Sequence, residues 1–333
     1  MSTEKETAMI NKILRILFCF MFLCVSQVYA AASYPSKVVT IVVPFTAGGP
    51  TDTVARTLSQ AMSAALDTQI IVENVDGAGG TIGAWRVAKA PPDGYTIFVH
   101  HIGHATAPSL YRKLPYNSMT DFEPIGLINE VPMTLVARKD FPPQDLKELI
   151  AYVKANKEKI NLANAGLGAA SHLCGMLFQS AMQTEVTTVP YKGTGPAMND
   201  LISGQVDIMC DQTTNTTSQI RGGTIKAYGV TAGKRVASLP NVPTMSEAGL
   251  PSFEVSVWHA LYAPKGTPKA VIDTLTKALQ HALKDATVKQ RFAQLGTEPV
   301  AENRATPEAL RAHLKAEIDK WAPIIKKAGI YAD

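Results

Sequence analysis

Val38-Val39-Thr40-Ile41-Val42-Val43-Pro44-Phe45-Thr46-Ala47-Gly48-Gly49-Pro50-Thr51-Asp52 passes from a β-branched apolar run through a glycine turn to a helix opening near Thr51 or Asp52. A strand without apolar and polar alternation is expected where helices cover both faces of a parallel sheet, so Val38–Val43 reads as a central strand. The pattern repeats outward. Helical spacing follows over Val54–Leu66, and further strand and helix candidates are Thr96–Val99, Thr134–Ala137 with Leu146–Ala155, and Ile160–Ala163 with His172–Met182. Such alternation predicts a parallel α/β architecture. The final third reads as helical, with Lys269–Ala286 and Thr306–Ala328 opened by Pro268 and Pro307.

A chain of 333 residues is long for one core and suits two lobes. Proline-bearing segments near Glu130–Pro132 and Leu239–Pro243 interrupt the pattern and predict two crossings between lobes. The first lobe is then discontinuous, residues 31–131 with 241–333, and the second covers 132–240. Apolar residues make up 46% and charged residues 18%, and the net charge is +4, a globular composition with no basic block for nucleic acid. No repeat or low-complexity tract suggests a solenoid or a tethered module.

Lys12 and Arg15 precede the apolar run Ile16–Val25, and Ala30, Ala31 and Ala32 follow, which is the pattern of a secretory signal peptide cut after Ala30 or Ala32. The run is shorter than the roughly 20 residues that span a bilayer. Cys19 and Cys24 would leave with residues 1–30, so Cys174 and Cys210 are the remaining pair. A disulfide is allowed there, as are two buried thiols. No cysteine or histidine spacing matches zinc, and no metal or cofactor is expected.

The Gly48-Gly49 turn places backbone N–H groups at the positive end of a helix, which forms an anion site without a charged side chain. It matches neither GxGxxG nor GxxxxGK[ST], so nucleotide binding loses its main support. Leu162-Ala163-Asn164-Ala165-Gly166-Leu167-Gly168-Ala169-Ala170-Ser171-His172 repeats the strand, glycine turn and helix in the other lobe. Two such helix starts facing one cleft would hold a carboxylate from both sides.

Several further motifs stand in order: Asn74-Val75-Asp76-Gly77-Ala78-Gly79-Gly80-Thr81-Ile82-Gly83-Ala84, Pro92-Asp93-Gly94-Tyr95-Thr96, Leu114-Pro115-Tyr116, Val189-Pro190-Tyr191-Lys192-Gly193-Thr194-Gly195-Pro196 and Ala263-Pro264-Lys265-Gly266-Thr267-Pro268. With Pro44–Asp52, they make nearly all of the mature chain resemble the extracytoplasmic solute-binding receptors of tripartite tricarboxylate transporters, the Bug or TctC family. The resemblance implies a two-lobed, type II-like periplasmic binding fold, each lobe a mixed sheet flanked by helices with the cleft between them. It implies a monomer that closes on an organic acid and hands it to the membrane components of the transporter. The implied contacts come from Phe45, Thr46, Ala47, Gly48, Gly49, Thr51 and Asp52 in the first turn. Ala165, Gly166, Gly168, Ala169, Ala170 and Ser171 serve in the second. Ala165 stands where serine is common, and Met176 near where a glutamate is frequent, so a tricarboxylate or amino-acid specificity does not transfer directly.

Other side chains carry a functional and a structural reading side by side. His100, His101 and His104 follow a strand at the end where open α/β folds bind ligands, and His104 is chosen as the cleft residue. Ser171 beside His172 lacks any GxSxG elbow and reads as helix capping or anion contact rather than a nucleophile and base. Asp207 and Asp211 follow apolar residues in Gly204–Asp211, another strand ending toward the cleft, and the resemblance implies that Asp211 faces the ligand; it would repel a plain dicarboxylate unless shielded or protonated. Tyr191 and Trp258 offer aromatic walls or core packing. Together these features favour a receptor for a small organic carboxylate, tilted toward an aromatic dicarboxylate such as terephthalate. An exported enzyme acting on a carboxylate or ester is the alternative. A cytosolic regulator is disfavoured, since no helix-turn-helix precedes the α/β region.

Overall fold

The structure, a computed structural model, describes residues 34–329, 331 and 332; the expected signal segment lies outside them. Residues 37–333 make one compact unit. Along it come β1 (Val39–Val43), α1 (Pro50–Leu66), β2 (Ile70–Asn74), α2 (Thr81–Ala88), β3 (Thr96–His101), α3 (Gly103–Leu110) and β4 (Phe122–Arg138). Next are α4 (Leu146–Asn156), β5 (Asn161–Asn164), α5 (Ala170–Met182), β6 (Thr187–Pro190), α6 (Thr194–Ile202), β7 (Ile208–Gln212), α7 (Thr213–Arg221) and β8 (Ile225–Val230). The last third adds β9 (Ser256–Pro264), α8 (Lys269–Lys284), α9 (Ala286–Gln294), β10 (Glu298–Pro299) and α10 (Pro307–Ala328).

The strands join in the order β2-β1-β3-β9-β4-β7-β5-β6, with β8 and β10 also paired to β4. β1 pairs in parallel with β2 and β3, and β5 in parallel with β6 and β7, as the βα alternation predicts. β9 runs antiparallel to β3 and β4. Long β4 ties the halves together: Phe122–Pro132 pairs with β9, while Met133–Ala137 pairs with β7 and Thr134–Arg138 with β8. The fold is therefore α/β with a mixed sheet flanked by helices.

Three expectations need correction. β1 is bonded on both edges, yet it lies one strand in from the outer β2 rather than at the centre. The final third is not wholly helical, because apolar β9 is buried from Val257 to Pro264 between β3 and β4. The helix expected over Lys269–Ala286 ends at Lys284, where Asp285 turns extended and its carboxylate caps the Thr287 and Val288 amides of α9. Elsewhere the local chemistry acts as expected. Asp145 accepts from Glu148 N at the start of α4, and Thr306 accepts from Ala309 N with Pro307 in the first turn of α10.

The core fixes the positions of the turns. Phe98, Phe122 and Tyr262 are almost fully buried around His104 at the junction of β3, β4 and β9. In the other half, Cys174 on α5 and Cys210 on β7 form a disulfide across 5.9 Å between Cα atoms. That bond ties the helix behind the second glycine turn to the strand that ends in Asp211.

Candidate functional site

β1, β5, β6 and β7 all end in turns that start helices at one cleft, the usual ligand position in open α/β sheets. Its walls carry Phe45, Pro50 and Thr51 from the first turn and Ala165, Ala170 and Ser171 from the second. His101, Thr194, Asp211 and Gln212 complete it. Lysine and arginine are absent from this lining.

Inside the first turn Asp52 is a clamp. Its carboxylate accepts from Gly48 N at 2.9 Å, from Arg56 Nε at 2.9 Å and from Asn74 Nδ2 at 2.9 Å. Asn74 also donates to Phe45 O at 2.9 Å, so both ends of the turn are tied to β2. Burial pushes the Asp52 carboxyl up, but Arg56, the Gly48 amide and Asn74 outweigh it and hold the group below its usual range. Gly48 has φ +80, a conformation that favours glycine.

The second turn is braced the same way. Ala165 N donates to Ser171 Oγ at 2.8 Å, Gly166 N to Asn164 Oδ1 at 2.8 Å, and Gly168 N to His172 Nδ1 at 3.2 Å. Ala169 N donates to Gly166 O. Gly48, Ala165, Gly166, Gly168 and Ala169 therefore spend their amides on turn geometry. The N–H groups left without helical partners are those of Thr51 and Asp52 in α1, and of Ala170, Ser171 and His172 in α5. Both helix starts carry the positive end of a dipole. Ser171 and His172 bond to turn amides and not to each other, and burial lowers the His172 ring to about 4.

Asp211 is the only acid in the lining, and it is buried. Its Oδ2 accepts from Asn215 Nδ2 at 2.6 Å, while Oδ1 and the neighbouring Gln212 Oε1 have no hydrogen-bond partner. Burial raises the Asp211 carboxyl to about 7, with Asn215, the Gln212 amide and Thr194 acting in the opposite direction.

The histidines divide by position. His101 lines the cleft with Phe45 stacked on it at 4.7 Å, whereas His104 is enclosed by Phe98, Tyr116, Phe122 and Tyr262. Desolvation lowers both to about 3, and His100 and His259 also fall well below the ordinary value, so all four are neutral. Tyr191 donates to Asp200 at 2.6 Å and faces an outer groove shared with Thr46, Gly79 and Gly166. Trp258 is buried, bonding Glu317 at 3.1 Å. The sequence reading did not single out Thr194, Gln212 or His259; the signal for Gln212 was its place beside Asp211 at a strand end.

The two walls touch around the cleft. Tyr111 OH lies 2.7 Å from Ala78 O and 3.0 Å from Leu167 O, with one proton to give between the two carbonyls, and Thr106 Oγ1 lies 3.3 Å from Gly168 O. Gly79 packs on the Leu167 carbonyl, and Gly193 on Thr46, where no Cβ fits. Among the described residues no His, Cys, Asp and Glu cluster could hold a metal ion, and no helix is long and apolar enough to cross a membrane.

Comparison with known proteins agrees with this geometry. The family model for the tripartite tricarboxylate transporter family receptor, TctC, matches residues 54–330. The structure of the periplasmic binding protein BugD is 56% identical, with a TM-score of 0.88 over 90% of this chain and 99% of that one. MatC from Rhodopseudomonas palustris, solved with bound malate, is 43% identical with a TM-score of 0.85, covering 88% and 100% of the two chains. A UPF0065 protein of Agrobacterium vitis from the TAR-I ttuE-ttuC' intergenic region is 54% identical over 90% of this chain and 87% of its own. Matched in sequence over most of its length and in the arrangement of strands and turns, the chain belongs to the TctC receptor family, whose Bug members are periplasmic solute-binding proteins.

Proposed function

We propose that the protein is an extracytoplasmic receptor that captures a small organic diacid between the starts of α1 and α5 and passes it to the membrane components of a tripartite transporter. One observation carries this reading: two helix N-termini converge on a cleft whose lining has no cationic side chain. Backbone amides then supply the anion recognition, with charge-assisted hydrogen bonds of about 1.5–3 kcal/mol each before ordering costs. The malate bound to MatC supports a diacid of about that size. Because His100 and His104 lie behind the wall and only His101 reaches it, the histidines give less support to a flat aromatic acid such as terephthalate.

In this reading residues 1–30 direct export and are removed, and the protein acts in the periplasm without chemistry of its own. The bonds of Ser171 and His172 to turn amides favour binding over catalysis. Two lobes close on the ligand, one of residues 31–131 with 241–333 and one of 132–240. The change of partners along β4 at Pro132–Met133 supports the first crossing. Pro243 and Met245 still bond to Val230 of β8, which favours a return crossing nearer Val255–Ser256. Calorimetry of the mature protein against malate, succinate, adipate and terephthalate tests the proposal. The expected result is micromolar binding of an aliphatic diacid, and binding of none of the four would overturn it.

A further inference from the structure

Behind the cleft wall, a chain of buried polar groups has only one consistent direction. Thr297 Oγ1 donates its single proton to Glu130 O at 2.7 Å, so it can only accept from Asn129 Nδ2, which lies 3.3 Å away. Asn129 must therefore turn its carbonyl oxygen, Oδ1, toward His259 Nδ1, 3.0 Å distant. A carbonyl brings no proton, so Nδ1 carries it. The ring is neutral, because burial and the nearby His101 drive His259 well below its ordinary value. Nε2 is then a bare lone pair, and Thr51 Oγ1 at 3.3 Å must donate to it. Asn129, His259, Thr51 and Thr297 are all buried, so water does not compete for these bonds.

Thr51 lines the cleft, and with its proton committed to His259 its oxygen offers only lone pairs to a ligand. We propose that His259, held by Asn129, is a positioning residue that fixes Thr51 Oγ1 as an acceptor and so selects a diacid bearing a hydroxyl donor. This rests on the carboxylate reading above and narrows it. One further acceptor in the same lining, Gln212 Oε1, also has no donor. A plain dicarboxylate ion carries none, whereas a 2-hydroxy diacid brings one. An ammonium group is the other source of a donor, but Thr51 sits in the first turn of the 17-residue α1, whose positive end disfavours a cation there.

The test joins a spectroscopic and a binding measurement. Nitrogen-15 shifts of the histidine rings report the protonated nitrogen directly, and His259 is expected to carry its proton on Nδ1. A proton on Nε2 overturns the proposal. By calorimetry the wild type is expected to bind malate at least tenfold more tightly than succinate or aspartate. Thr51→Val, which keeps the shape and loses the oxygen, should weaken malate at least tenfold and move succinate by less than threefold. His259→Phe should likewise lower the malate-to-succinate ratio; if it does not fold, Thr51→Val and the ring shifts carry the test. Equal losses for both acids in Thr51→Val, or a wild type that prefers succinate or aspartate, would sink the selection. Binding of no diacid at all, with the Nδ1 proton in place, would instead overturn the carboxylate reading on which the selection rests.

Discussion

Asp211 ends β7 with a carboxyl raised to about 7 by burial, which ties the stability of the unliganded protein to pH. The ordinary value of 3.8 applies once the chain unfolds, so between about pH 4 and pH 7 the folded state holds more protons than the unfolded one. Stability from this group is fully present below pH 4 and is lost as pH rises through 7. The whole window corresponds to on the order of 4 kcal/mol. Asp211→Asn removes the titration while keeping an oxygen for Asn215. Thermal melts should show the variant gaining on the wild type by about 5 °C between pH 5 and pH 8. A constant difference across that range would mean that Asp211 is ionised at neutral pH despite its burial. Its place at a strand end beside the cleft was legible from sequence. The unpartnered oxygen was not, because it depends on where α6 and α7 pack.

Among the elements, the glycine turns were the most legible, since strand, Gly-Gly and helix start form a local unit whose geometry follows from φ preferences. Their hydrogen bonding was less so. That Gly48 N goes to Asp52 and Gly168 N to His172 follows from the turns' detailed shapes, and it shifts anion binding to the first helical amides. β4 was seen only at Thr134–Ala137, because the segment near Glu130–Pro132 read as an interruption and Pro124 and Gly126 lie in the stretch before it. The ladder to β9 absorbs Pro124 and Gly126 through a register shift between them. The turn before α6 carries a prediction. Gly193 has φ 166, an extended conformation open to any residue, yet a Cβ there meets Thr46 across the cleft. Gly193→Ala should keep the melting temperature of the unliganded protein and weaken ligand binding at least tenfold. Thr46→Ala in the same chain should restore part of it. Calorimetry with unchanged affinity in Gly193→Ala would show that this contact does not form with ligand bound.

For the molecule as a whole, the walls meet through backbone and hydroxyl contacts that no single wall supplies: Tyr111 to Leu167, Thr106 to Gly168, and Gly79 against Leu167. A ligand held by α1 on one side and α5 on the other gains affinity only when both helix starts reach it. Its differential binding then drives the population toward the closed arrangement. Motion about a few strand residues is the economical route, and the crossings at Pro132–Met133 and Val255–Ser256 are where the backbone changes partners. Small-angle scattering should therefore record a smaller radius of gyration with a saturating diacid than without it. Tyr111→Phe deletes one bridging hydroxyl and leaves the ring, so it should bind the same diacid several-fold more weakly and still close at saturation. An identical radius with and without ligand has two explanations, a rigid open pocket or a chain already shut. A crystal structure of the unliganded protein separates them, since the Tyr111 OH to Leu167 O and Thr106 Oγ1 to Gly168 O contacts are present in a shut chain and absent from a rigid open one.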